Sequence, residues 1–144
     1  MGMKQIKVNE IVSVLDFEEQ VQLEFSINQK SGIEFLLGLI LLKEGLIDLT
    51  EAKFKNFDLM LKLSNHKYSN VEFVSLSKNL LKANISLSNL EYIEHYILKF
   101  LRDGQAETEH IDVDFEHSKK EYTLKITCKT YKEFTEKEIR DMIG

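Results

Sequence analysis

The sequence predicts one α+β domain over residues 1–144, in which a meander-like antiparallel sheet carries its helices mainly on one face. Several short segments alternate apolar and polar residues, which is the period of a half-buried strand. Two longer segments are predicted helices, one because it is apolar almost throughout and the other because its apolar residues recur at helical spacing. Short polar turns separate these segments, and a chain of 144 residues has the size of one typical domain.

The strands of the first half are predicted from their alternation. Gln20 to Ile27 alternates strictly, with Val21, Leu23, Phe25 and Ile27 on one side. Ile11 to Phe17 is apolar enough to be a second strand, although its spacing also fits one helical turn. Lys53 to Leu63 is interpreted as one long strand.

The apolar run Ile33 to Leu42 is predicted to be a buried helix. Ser31 is the predicted N-cap, Glu34 completes a capping box, and Gly45 ends the helix. Ten helical residues cover about 15 Å, half of a bilayer core, which favours a core helix over a membrane span. Because the run is apolar on all sides, it is either the central helix or a helix whose spare face meets another chain.

Strands continue into the second half of the chain. Val71 to Leu76 and Leu81 to Leu87 are predicted strands separated by a turn. His110 to Phe115 and Tyr122 to Cys128 form the clearest hairpin, because both segments alternate on either side of a polar turn.

Two helices are predicted in the same half. Ser88 caps the first, with Glu91 as its box partner, and Leu90 to Leu101 carries an apolar stripe at helical spacing. Thr135 caps a short C-terminal helix, with Glu138 three residues later.

Charge and cysteine content restrict the classes of function. The net charge is −5 and the lysines and arginines form no long run, which predicts neither a nucleic-acid nor a membrane partner. Cys128 is the only cysteine, so a disulfide within the chain and a zinc site of several thiolates are both excluded. The absence of a disulfide predicts a reducing, cytoplasmic location, and the N-terminus has no apolar run typical of a signal peptide. We also expect no cofactor.

The densest set of reactive side chains lies on the strand that begins at His110. His110, Asp112 and Asp114 share one face of it, which could hold a metal ion or bracket a water molecule. The simpler interpretation is the hydrated face of a half-exposed strand. Cys128 occurs in the apolar phase of its strand and is expected to be a small core residue.

Helical residues supply two further candidates. Glu91 and His95 are four positions apart and could form an ion pair, although a solvated helix face is the favoured interpretation. Tyr92 and Tyr96 also lie one turn apart, on the flank of the apolar stripe. Tyrosine is enriched in protein interfaces, so both are candidate partner-binding residues unless they cover the edge of the core.

No phosphate-binding glycine loop, HExxH, CxxC or EF-hand motif is present. The Ser88-capped helix, the strand Glu109 to Phe115 and the strand Tyr122 to Cys128 resemble the C-terminal half of small bacterial immunity proteins, which accompany polymorphic or contact-dependent toxins. The resemblance implies a non-catalytic cytoplasmic protein that binds and blocks one cognate toxin.

The leading prediction is therefore a non-catalytic protein-binding domain, in its sharpest form an immunity protein for a basic toxin domain. His110, Asp112 and Asp114 are predicted to face this partner together with Tyr92 and Tyr96. A structural or regulatory homo-oligomer, such as a homodimer formed through the helix at Ile33 to Leu42, is the second hypothesis. A small metal-dependent or hydrolytic enzyme centred on His110, Asp112 and Asp114 is the third.

Overall fold

The computed structural model describes residues 2–64, 74–117, 120–129, 140, 141 and 143. Over residues 2–129 the described part of the chain forms two β-sheets and two helices. The strands are β1 (Gly2–Lys7), β2 (Ser13–Asp16), β3 (Gln20–Ile27), β4 (Ile47–Lys53), β5 (Asp58–Leu63), β6 (Val74–Ser77), β7 (Leu80–Ile85), β8 (Ile111–His117) and β9 (Lys120–Cys128). The helices are α1 (Gln29–Lys43) and α2 (Leu87–Asp103). The α+β class is thereby confirmed.

The strands form two mixed sheets, so the predicted single antiparallel meander is wrong. The first sheet has the order β1-β4-β5-β7-β6 and the second the order β2-β3-β9-β8. The four antiparallel pairs each join consecutive strands, whereas β1 with β4, β3 with β9 and β5 with β7 are parallel. The short turns that predicted the meander join antiparallel strands only. Parallel neighbours are separated in the chain by a long crossover, so the turns gave no sign of them.

The order of the strands relates the two halves of the chain by an approximate topological twofold. Hairpin β2–β3, helix α1 and hairpin β4–β5 are followed by hairpin β6–β7, helix α2 and hairpin β8–β9. Each sheet joins one hairpin from each half, through the parallel pairs β3/β9 and β5/β7. Neither half therefore contains a complete sheet.

Helix α1 begins three residues earlier than predicted. The N-cap is Asn28, whose Oδ1 accepts a hydrogen bond from the Ser31 backbone N–H at 2.9 Å. The Ser31 hydroxyl in turn accepts one from the Asn28 N–H at 3.0 Å, so Ser31 completes the capping box instead of starting it. Asn and Ser both cap well, and residue type alone did not decide between them. Gly45 follows the helix at φ +71°, which confirms the predicted stop.

Helix α2 also begins earlier than predicted, because its N-cap is Ser86 and not Ser88. The Ser86 hydroxyl accepts a hydrogen bond from the Asn89 N–H at 3.2 Å. Gly104 ends the helix in the left-handed region at φ +76°. The predicted stripe is confirmed, since Leu90, Ile93, Ile97 and Phe100 are all fully buried.

The predicted long strand Lys53 to Leu63 is in fact the end of one strand, a tight turn and a second strand. The Phe54 N–H donates to the Phe57 carbonyl at 2.8 Å across this turn. Asn56 fixes the turn to the loop between β1 and β2. Its side-chain amide donates a hydrogen bond to the Val12 carbonyl and accepts one from the Val12 N–H, both at 2.8 Å. The prediction of strand Gln20 to Ile27 and that of the hairpin β8–β9 are confirmed.

The helices run antiparallel to each other on the buried side of the sheets. Helix α1 contacts β1, β4 and β5 of the first sheet and β3 of the second, and α2 contacts β8. A Cβ atom at Gly32 would lie 3.6 Å from Leu101 Cδ2, so the start of α1 lies beside the end of α2. Lys43, at the other end of α1, lies 3.5 Å from Glu94.

Two of the predicted elements extend beyond the described residues. The C-terminal helix predicted from Thr135 lies mostly outside them, as does the first part of the strand predicted from Val71 to Leu76. Within the described part of the chain, neither helix is long and apolar enough to cross a membrane.

Candidate functional site

The strand β8 has one face in the core and one in solvent, as predicted. Ile111, Val113 and Phe115 are buried, whereas Asp112 and Asp114 are exposed. His110 directly precedes the strand, and its Nε2 lies 3.8 Å from Asp112 Oδ1. Asp114 Oδ1 accepts a hydrogen bond of 2.8 Å from the Thr123 hydroxyl. The two carboxylates are thus held apart by different partners.

The neighbouring strand supplies no further ligand to this face. Lys125 lies opposite Asp112 in the register of β8 with β9, and Thr123 lies opposite Asp114. Among the described residues, no group of three or more His, Cys, Asp or Glu side chains is placed to hold a metal ion. Carboxylates on an edge strand do have a structural effect, since charge discourages pairing with another chain.

The two tyrosines lie in different environments. Tyr92 is 49% exposed on α2 and can contact a partner. Tyr96 is only 3% exposed, so it lies in the core and offers no contact area to a partner. A residue on the flank of the apolar stripe can be either buried or exposed. Tyr96 is buried because the loop that follows α2 packs over it.

Tyr96 joins α2 to two other parts of the chain through its hydroxyl. This hydroxyl lies 3.1 Å from the Thr108 carbonyl and 3.3 Å from the Glu109 carbonyl, and it accepts a hydrogen bond from the Cys128 N–H at 3.3 Å. Burial raises the pKa of the Tyr96 phenol above its usual value. The neutral phenol thereby holds the loop before β8 against the end of β9.

Cys128 is a buried core residue, as predicted. Burial raises the pKa of its thiol to about 12, and the hydrogen bond with Tyr96 only partly opposes this effect. A thiol with so high a pKa contains almost no thiolate at neutral pH, and the thiolate is the reactive form. The side chain is therefore suited to packing and not to nucleophilic attack.

Two measurements test this assignment of Cys128. At pH 8 the folded chain should react with a thiol reagent at least about 100-fold more slowly than the chain unfolded in urea. The raised pKa stabilises the fold fully below the ordinary thiol pKa of 9.0, and this contribution is lost as the pH rises towards 12. The free energy of unfolding should fall over this range by at most about 1.4 kcal/mol per pH unit for this group.

The variant Cys128→Ala is the control for the pH dependence. Its free energy of unfolding should fall less steeply between pH 9 and pH 12 than that of the wild type, because tyrosines and lysines still titrate but the thiol does not. Equal slopes in the two proteins, or rapid alkylation of the folded wild type, would contradict the buried thiol.

The outer face of α2 combines acidic, aromatic and aliphatic side chains. Glu91, Tyr92, His95 and Leu98 are exposed there, and they line a shallow depression together with Ser88 and Glu94. Although Glu91 and His95 are both among the described residues, no ion pair joins them, contrary to the pairing considered from their spacing. Because one helix face supplies the whole lining, the depression suits contact with a surface better than enclosure of a small substrate.

The net negative charge of the chain lies in one continuous segment, residues 87–115, named the acidic segment. It contains seven carboxylates (Glu91, Glu94, Asp103, Glu107, Glu109, Asp112 and Asp114) and two cations (Lys99 and Arg102). Its net charge of −5 equals that of the whole chain. The total charge of −5 does not show where along the chain the excess of carboxylates lies, whereas the charges of each segment do.

Comparison of the chain with protein-family models, with characterised proteins and with solved structures gives no significant match. Its function is therefore inferred from its own residues.

Proposed function

We propose that this chain is a non-catalytic binding domain whose acidic segment binds a basic protein partner. The single observation that carries the proposal is that residues 87–115 hold the entire net charge of −5. The rest of the chain is neutral in sum, so attraction of a cationic surface would be directed to α2, the loop after it and β8. Such a local field raises the rate of association with an oppositely charged protein.

The ion pairs within the described residues leave much of this charge available. Lys99 lies 3.0 Å from Glu107, and Arg102 lies 2.9 Å from Asp103. Lys43 of α1 reaches Glu94. Within the described part of the chain, no lysine or arginine forms an ion pair with the other four carboxylates, which are Glu91, Glu109, Asp112 and Asp114. A partner's cations could pair with these four without displacing a lysine or arginine of this part of the chain.

Exposed apolar area accompanies the charge. Leu87, Tyr92 and Leu98 on α2 are 48%, 49% and 50% exposed. Aromatic and aliphatic anchors with a charged rim are typical of protein interfaces, in which a few large side chains contribute most of the binding energy. Of the predicted partner-binding residues, Tyr92, His110, Asp112 and Asp114 remain available to a partner.

The specific form of the proposal is a cytoplasmic immunity protein that binds and blocks a cognate toxin with a basic toxic domain. The acidic segment supports it through charge, and it includes much of the sequence that resembles bacterial immunity proteins. Blocking a toxin requires a surface and no reaction. The chemistry of Cys128 and of the β8 face fits this requirement, since neither forms a recognisable catalytic set among the described residues.

The experiment begins with the gene immediately upstream of this chain. A toxin encoded there should be neutralised when this chain is co-expressed, and its isolated toxic domain should bind the purified chain. At low salt the double variant Asp112→Asn/Asp114→Asn should associate with that domain about tenfold more slowly than the wild type. The difference should shrink in about 0.5 M salt because ions screen exposed charges.

The matched control removes two carboxylates outside the acidic segment. Glu18 and Glu19 are both exposed in the turn between β2 and β3, so Glu18→Gln/Glu19→Gln changes the net charge equally. An equal loss of association rate in both double variants would show that only total charge matters. Absence of a toxin gene, or a toxin that remains active with the chain bound, would overturn the immunity role.

A further inference from the structure

Helix α1 exposes an apolar stripe on the side that faces away from the core. Phe35, Leu39 and Leu42 are buried, whereas Ile33, Leu37 and Ile40 are 56%, 43% and 38% exposed. The three exposed residues (the α1 stripe) are separated by four and then three positions, so they align along one face of the helix. A stripe of this kind on a two-sided apolar helix is a candidate contact surface.

The α1 stripe has opposite charges at its two ends. Lys30 lies three positions before Ile33, and Glu44 lies four positions after Ile40, so both continue the same face. Both side chains are exposed, and neither forms an ion pair with any described residue. The face is therefore positive at one end, apolar in the middle and negative at the other end.

We infer that a second copy of this chain packs against the α1 stripe, with the two α1 helices antiparallel around a twofold axis at Leu37. Lys30 and Glu44 are each seven positions from Leu37, or about 10.5 Å along the helix axis. The antiparallel arrangement therefore places Lys30 of each copy beside Glu44 of the other. A parallel arrangement would bring like charges together, so the charges select the antiparallel one.

The apolar residues fit the same arrangement. Ile33 and Ile40 lie about 6 Å and 4.5 Å from Leu37 along the axis, on opposite sides of it. In the antiparallel pair, Ile33 of one copy is thus offset by about 1.5 Å from Ile40 of the other, which allows the side chains to interdigitate. The twofold makes each surface complementary to itself, as a homodimer interface requires.

The size of the stripe sets the strength of the contact. Helix α1 has 15 residues and is therefore about 22 Å long, and one face of such a helix offers less than the roughly 800 Å² per partner of a standard interface. Exposed Leu46, after the C-terminus of α1, adds to the apolar area. A dimer with a dissociation constant in the micromolar range is expected, on the order of 10 µM.

Sedimentation equilibrium of the full chain from about 1 µM to about 1 mM tests the inference directly. The wild type should change from monomer to dimer over this range. Leu37→Asp should raise the dissociation constant at least about 100-fold, because it places two carboxylates together on the axis. Ile11→Asp is the matched control, since Ile11 is 64% exposed outside α1, and it should leave the dissociation constant unchanged.

Charge exchange tests the antiparallel arrangement without a risk of unfolding. Lys30→Glu and Glu44→Lys each place a favourable charge at its helix end, so neither should destabilise the monomer. Either variant should weaken the dimer about tenfold by turning two attractive pairs into repulsive ones. Lys30→Glu/Glu44→Lys should return the dissociation constant to within about threefold of the wild type.

Each of the other results would overturn the inference. A wild type that remains monomeric at about 1 mM has no dimer of this kind. A dimer unaffected by Leu37→Asp uses another surface, and single charge variants without rescue in the double variant would exclude the antiparallel arrangement. None of these outcomes depends on binding by the acidic segment.

Discussion

Substituting Gly38 by valine is expected to destabilise the fold by about 3 kcal/mol, because no side chain fits between α1 and the first sheet. A Cβ atom at Gly38 would lie 2.8 Å from Thr50 Cγ2 and 3.2 Å from Thr50 Oγ1. Thr50 is 1% exposed, and its hydroxyl donates a hydrogen bond of 3.1 Å to the Gly38 carbonyl. A short, β-branched and buried side chain cannot move aside without breaking this bond. Urea unfolding measures the effect.

Gly32 is the matched control for this prediction, since it lies in the same helix and is also buried. A Cβ atom there would lie 3.6 Å from Leu101 and 3.7 Å from Ile97, which is ordinary van der Waals contact. Gly32→Ala should therefore stabilise the chain by about 0.5–1 kcal/mol through helix propensity alone. If Gly32→Ala and Gly38→Val shift the urea midpoint in the same direction, the close approach of Thr50 is not what restricts position 38 to glycine.

Replacing Tyr96 by phenylalanine should lower the free energy of unfolding by about 2 kcal/mol. The ring fits unchanged, so the effect isolates the hydroxyl. Loss of the hydroxyl leaves the buried Cys128 N–H without the acceptor that it has at 3.3 Å. The carbonyls of Thr108 and Glu109 can turn to water because these residues are exposed, and so they should contribute less. Thermal or urea unfolding at neutral pH gives the difference.

Hydrogen exchange should locate the effect of Tyr96→Phe. The amides of residues 104–110 and of the end of β9 should exchange faster, while α1 and the first sheet should exchange as in the wild type. Tyr92→Phe is the control, because Tyr92 is 49% exposed and should change stability by less than about 0.5 kcal/mol. A Tyr96→Phe protein as stable as the Tyr92→Phe protein would show that the Tyr96 hydroxyl does not stabilise the fold.

Local patterns predicted the elements of this fold but not their arrangement. The alternation of Gln20 to Ile27 and the stripe of α2 gave the correct element type, because burial on one face imposes a period on the sequence. The split at Phe54 to Phe57 was missed, since the turn is fixed by Asn56 bonding to Val12, which is distant in sequence. The parallel pairs were equally invisible, because neither strand carries information about its distant neighbour.

In the candidate site too, some features could be predicted from local sequence patterns and others could not. The exposed face of Asp112 and Asp114 and the burial of Cys128 follow from strand alternation, which the sequence displays. The burial of Tyr96 does not, because helical spacing places it only on the boundary of the stripe. Its position in the core depends on the loop after Gly104, whose carbonyls cover the hydroxyl.

The parallel pairing of β3 with β9 has a consequence for the synthesis of the protein on the ribosome. Val21 lies opposite Tyr122, so the two strands are separated by 101 positions in the chain. At about 5–20 residues per second, β3 waits roughly 5–20 s for its neighbour to be translated. During that time the emerging chain exposes an unpaired strand edge, which a chaperone that binds nascent chains would protect.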